Sequence, residues 1–328
     1  MRRKQARFER VKERYDEQLA AGHLTAAEVL LRQMLARAPE WAAGWFELGL
    51  IAKLRHDWEA CRDANARALA LGDGRPGDPA AWNLGIAATA LGDEETAARA
   101  WATYGAGVPS GDRSLVPVRL NPAPRYPGQR PLLVDGTEHR PEIVWTERLG
   151  PAHGVVTTVP MPGSGHRYGD VVLHDGEPSG AHAAPDGASV PLFDEVARLS
   201  AGPHPTIPVL VTVPGEGDLA ALLGALTEVG LPAEDWTASV REVCDECADG
   251  APEAVRAPGE AARPPSERAA GEAAGEGTRP PSERAFGIAG QPDAAAAVLD
   301  GWAAAGSGRE WRRSPGRTPA GTGSTGTG

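Results

Sequence analysis

The feature that most constrains this chain is a stretch that repeats itself. Trp45-Phe46-Glu47-Leu48-Gly49 returns 36 positions later as Ala81-Trp82-Asn83-Leu84-Gly85, and Cys61 returns as Ala97. A weaker first unit runs through Val11, Tyr15, Ala27, Leu31, Met34 and Pro39. Self-similarity at a fixed period of this size marks stacked supersecondary units, none of which can bury its apolar face alone. Glycine at 49 and 85 predicts two positions where paired helices press together and a side chain would hold them apart. Ala27, Cys61 and Ala97 are the matching small residues, while Leu48, Leu69, Leu84 and Trp101 fill the space between neighbouring pairs. Residues 1–104 are therefore expected to form an all-α helical repeat of about three helix pairs, with a two-residue insertion in the 72–79 linker.

Over roughly 100 residues these motifs resemble the tetratricopeptide repeat, whose period is about 34 residues. The resemblance implies a concave groove lined by the first helix of each pair. Carried onto this chain, the groove comprises Lys12 and Asp16, then Phe46, Leu50 and Leu54, then Trp82, Ile86 and Thr89. Some members of the family hold a peptide carboxylate there with Lys, Arg and Asn. Lys12 and Asn83 are only fragments of that set, and Asp16 carries the wrong charge. The apolar centre suits an amphipathic partner helix instead. Arrays of this kind end in a polar capping helix. After Tyr104 this chain passes directly into Gly105-Ala106-Gly107-Val108-Pro109, so the downstream part of the chain is the expected cover for the last apolar face.

Beyond the array the composition changes. Residues 105–131 carry six prolines among glycines and read as an extended connector. Residues 138–200 contain short runs rich in Val, Ile, Trp and Tyr at 142–148, 154–160, 168–174 and 190–193, which predict a small antiparallel barrel or sandwich layer. His174-Asp175-Gly176-Glu177 is a hairpin-type turn signal. The six histidines in 139–204 lack the i, i+4 spacing of a zinc-ligand pair and read as surface or turn residues. Gly163-Ser164-Gly165-His166 does not meet the G-x-S-x-G frame of a nucleophile elbow.

Residues 205–313 read as β-α-β-β-α: an apolar strand at 207–213, a helix capped by Asp218 through Val229, a strand at 237–243, a strand at 285–289 and a helix from Pro292. This order resembles a ferredoxin-like layer completed by 310–312. The α+β region is thus expected to comprise 132–249 plus 285–313. Residues 250–284 are almost entirely Ala, Gly, Pro, Glu and Arg, with Arg263-Pro264-Pro265-Ser266-Glu267-Arg268-Ala269 recurring at 279–285. That insert and the tail at 314–328 are expected to be disordered, because such compositions bury too little apolar surface to offset their ordering entropy.

Cys244-Asp245-Glu246-Cys247 is the strongest chemical motif. Two thiols at this spacing can wrap one metal ion or form a reversible disulfide. Zinc needs two more ligands, and no Cys or His follows Cys247, which leaves His166 or His174. The acidic pair between the thiols raises their pKa and disfavours redox chemistry. From 142 onward, notably Arg167-Tyr168-Gly169-Asp170-Val171-Val172 and Asp235-Trp236-Thr237, the chain is similar to the rear half of uncharacterised bacterial repeat proteins. In those proteins the C-x2-C is followed by histidines; this chain departs from them.

The net charge of −11, from 33 basic and 44 acidic residues, disfavours nucleic acid and anionic membrane as partners. Three cysteines, an odd number, fit a reducing compartment rather than a disulfide framework, and no 18-residue apolar run is present. The basic start at 2–14 reads as a solvated first helix. The sequence is therefore read as a cytoplasmic protein-interaction scaffold with no catalytic activity and no cofactor. Its groove residues are Phe46, Leu50, Leu54, Trp82 and Ile86. The alternative is a zinc-binding or thiol-redox protein centred on Cys244 and Cys247.

Overall fold

A computed structural model describes residues 2–107, 113–184, 187–238 and 282–314. Six helices come first: α1 (Arg2–Ala20), α2 (Leu24–Leu35), α3 (Ala42–Leu54), α4 (Trp58–Leu71), α5 (Pro79–Ala90) and α6 (Glu94–Tyr104). Asp57 and Asp93, also 36 residues apart, cap α4 and α6 by accepting from the amides of Ala60 and Thr96, each at 3.1 Å. Asp78 caps α5 with Pro79 in its first turn, where a missing amide costs nothing. The glycines sit where the helices touch. A Cβ on Gly49 would overlap the Asn65 amide, and one on Gly85 would lie 2.7 Å from the Trp101 ring. Tyr15, Leu31, Met34, Leu48 and Ile51 form one buried cluster, and Ala52, Cys61 and Ala87 another.

A small β-barrel follows. Its strands are β1 (Leu115–Leu120), β2 (Glu142–Gly150), β3 (His153–Val156), β4 (Val171–His174), β5 (Gly180–Ala183) and β6 (Ser189–Ser200). The order is β1-β2-β3-β4-β6-β5, and a parallel pairing of Val118 and Arg119 with Phe193 and Asp194 closes the sheet on itself. Val118, Leu120, Val144, Val156 and Val172 fill the interior. The prolines of 105–131 led to a connector reading of that whole segment, yet β1 lies inside it. Alternating Val116, Val118 and Leu120 win over Pro117, which falls outside the two-residue pairing with β6. The 121–141 segment that follows runs back over the array. Arg130 N donates to Leu54 O at 2.9 Å, and Gly128 meets Gly22 where a Cβ on either would strike backbone.

The third part alternates β7 (Thr206–Val213), α7 (Glu216–Glu228), β8 (Ala233–Asp235), β9 (Ser282–Ala289), α8 (Pro292–Ala304) and β10 (Glu310–Arg313). Its four strands lie in the order β10-β7-β9-β8, every neighbour antiparallel. Ile207, Val209, Val211 and Val213 alternate toward Leu222, Leu226, Leu299 and Trp302. Three local expectations change. Gly215, not Asp218, stands at the N-cap of α7, since the helix begins at Glu216 and Asp218 falls inside its first turn, where its carboxylate pairs with Arg309 at 2.7 Å. Of the strand expected at 237–243, Thr237 and Ala238 lie in a turn after β8, and 239–243 lie outside the described residues. β9 begins at Ser282, inside the second copy of the duplicated heptapeptide, and pairs there with Val213. Residues 239–281 and 315–328, with Cys244, Cys247 and most of the insert and tail, lie outside the described residues. Among the described residues, no helix is long and apolar enough to cross a membrane.

Candidate functional site

The face expected to form the groove divides into two stretches. On α3, Phe46 is half-buried and Leu50 is 37% exposed. Leu54 packs partly against the array core, beside the point where Arg130 crosses. On α5 the same periodicity leads elsewhere. Ile86 is fully buried in a cluster with Trp101 of α6 and with Ala152 and Leu173 of the barrel. Trp82 packs edge-on against Trp101 and Tyr104, at centroid distances of 5.0 and 4.9 Å. Val196, Ala197 and Leu199 of β6 extend this cover. The barrel thus lies on the face that lacks a capping helix.

At the centre of the junction sits the turn after β4. Asp175 is held by Lys53 Nζ at 2.8 Å, by the Gly176 amide at 2.8 Å and by the Trp82 indole N–H at 3.4 Å. Lys53 also donates to Asn83 Oδ1 at 3.0 Å, and only 11% of its side chain is exposed. Burial works against the charge on Asp175, but Lys53 and the two N–H donors outweigh it and hold the carboxyl below its ordinary range. Gly176 lies flat on Trp82, with no room for a Cβ. The sequence signalled a turn here but not its role. Lys53 and Asp175 are 122 residues apart, and β4 and β5 both pair with β6 rather than with each other. Lys12 takes no part: it pairs with Asp16 on α1 at 2.8 Å.

Two histidines read as surface or turn residues are buried. His166 Nδ1 lies 2.9 Å from Asp170 Oδ2, and its Nε2 lies 3.2 Å from Glu195 Oε2, all three side chains being fully enclosed. Burial alone would lower the His166 pKa, yet the bonds to Asp170 and Glu195 carry it up to about 9. His174 has its Nδ1 2.9 Å from Asp175 O, and burial pushes its pKa down to about 4. Ser164 ends a 3-10 turn, Pro162–Ser164, and its hydroxyl donates to Met161 O at 2.8 Å. Cys61 is buried on α4, with its thiol pushed up to about 12.

A cleft of about 260 Å³ lies between the α3–α4 turn, the 130–135 segment and β6, lined by His56, Trp58, Arg130, Asp135 and Arg198 among others. His56 and Asp135 both adopt left-handed backbone conformations there. Among the described residues no cluster of three or more His, Cys, Asp or Glu could hold a metal ion. No protein-family model matches the chain, and no curated protein matches it either.

Proposed function

We propose that the chain is a protein-interaction scaffold, with a tetratricopeptide-like array of three helix pairs whose groove is shared by two occupants. The inner stretch, Trp82 and Ile86, holds the chain's own barrel turn. The outer stretch, Phe46 and Leu50 with the edge of Leu54, receives a protein partner. The observation that carries this reading is the seated Asp175-Gly176 turn beside an exposed Leu50 on the same face. The close helix approaches at Gly49 and Gly85 support the repeat, and the strand order of the third part supports a ferredoxin-like layer. In this reading the layer and barrel stiffen the array, the chain performs no catalysis, and its acidic charge keeps it from nucleic acid and anionic membranes.

The test is affinity capture from native extract with the intact chain and with a Phe46→Glu, Leu50→Glu variant that retains cooperative unfolding. A protein held by the first and lost by the second, then shown to bind the intact chain in purified form, supports the reading. Identical captures from both baits overturn it.

A further inference from the structure

Both ring nitrogens of His166 face carboxylate oxygens. A neutral imidazole has one N–H, so one of these contacts would set a lone pair against an acceptor inside a site with no water access. An imidazolium donates from Nδ1 to Asp170 and sets a positive Nε2–H 3.2 Å from Glu195, an ion pair rather than an aligned hydrogen bond. The other charged and titratable groups around it are few. Arg198 of β6 reaches to 3.9 Å of Asp170 Oδ2 and is paired on its other side with Asp135. His139 lies against Gly165. Asp194, next to Glu195, is engaged by Arg119 and Arg125 at 3.2 and 3.7 Å. One positive ring between two negative carboxylates, with Arg198 behind, is the charge arrangement that this enclosure can hold.

The triad also ties three parts of the chain together. Asp170 Oδ1 accepts from Gly202 N at 2.6 Å, on the path from β6 to β7, and Oδ2 accepts from Arg167 N at 3.1 Å. Glu195 Oε2 accepts from Asn121 N at 3.0 Å, just past β1. The Asn121 side chain donates to Arg140 O and Ser164 O. We propose that His166 is kept as an imidazolium through the neutral range, and that its second ring proton is a lock joining the 162–170 loop, β6 and the entrance to the third part, a lock that opens at alkaline pH. The upward displacement of its pKa to about 9 agrees with this charge state. The sign follows: the folded pKa lies above the ordinary value, so the lock is complete below about 6.5 and is lost as pH rises through 9.

The test is nitrogen-detected NMR of the ring in the intact, isotope-labelled chain, with hydrogen exchange of the Gly202 and Arg167 amides followed from pH 7 to 10. The expected result is a doubly protonated ring at pH 7.5 that titrates near 9. Exchange at Gly202, corrected for its intrinsic pH dependence, accelerates by up to about tenfold per pH unit from pH 7 toward 9 and levels off above that point. A His166→Gln variant, which sets no positive charge between the two carboxylates, should show the fast exchange already at pH 7.5. A neutral ring at pH 7.5 in the native chain overturns the proposal. So does unchanged protection of Gly202 through the ring's titration, and both readouts stand even where the variant does not fold.

Discussion

Gly176 lies so close to the indole of Trp82 that a Cβ would overlap the ring. Its φ is not in the left-handed region, so the demand for glycine comes from this contact alone. Gly176→Ala should destabilise the junction by about 1–3 kcal/mol through overpacking, read as a shift in denaturant midpoint together with a change in Trp82 emission. An unchanged midpoint would mean that the turn is free to move off the helix.

Lys53 and Asp175 should behave as a coupled pair. Lys53→Met or Asp175→Asn alone is expected to lose about 1–3 kcal/mol, because each leaves a charged partner poorly satisfied in a largely enclosed site. The double variant should lose less than the sum, with a coupling of about 0.5–3 kcal/mol. Strictly additive losses in a double-mutant cycle would assign the contact no energetic role.

His174 sets an acid limb on stability. Its folded pKa, about 4, lies below the ordinary 6.5, so the unfolded chain binds the proton more readily. The native state is fully favoured above pH 6.5 and loses up to about 3 kcal/mol as pH falls toward 4. His174→Asn keeps a donor near Asp175 O and removes the titration. The measurement is the urea midpoint at pH 7 and pH 4.5; equal slopes for both proteins would assign the acid sensitivity elsewhere.

The array should not stand alone. A fragment ending at Tyr104 exposes Ile86 and Trp101, which the barrel covers in the intact chain. Aggregation or loss of a cooperative melt is expected. Cys61, the fragment's one cysteine, reports the loosening directly: labelling should be slow in the intact chain, where the thiol is enclosed, and fast in the fragment. A monomeric fragment with a protected Cys61 would show that the barrel is dispensable.

What could be read from sequence follows the range of the forces involved. Gly49 and Gly85 were legible because residue size at a fixed offset reflects a contact within one helix pair. The alternation of residues 207–213 predicted a strand because a two-residue period is local. The division of the groove was not legible. Phe46 and Leu50 carry the same helical spacing as Trp82 and Ile86, and only the arrival of Leu173 and Asp175 separates exposed from covered. β1 was obscured by Pro117, since prolines outweigh three alternating apolar residues until β2 and β6 are known. His166 was opaque for a similar reason: Asp170 lies four residues away, but Glu195 comes from another strand.

The barrel cover also has a consequence in time. α6 is complete at residue 104, whereas Leu199, which helps to cover it, follows 95 residues later (199 − 104). At roughly 5–20 residues per second, a growing chain carries the uncovered indole face of Trp82 and Trp101 for about 5–20 seconds. Closure waits longer than helix formation, because β1 must hold until β6 emerges to pair with it. During that interval the nascent array is a substrate for whatever binds apolar helices near the ribosome.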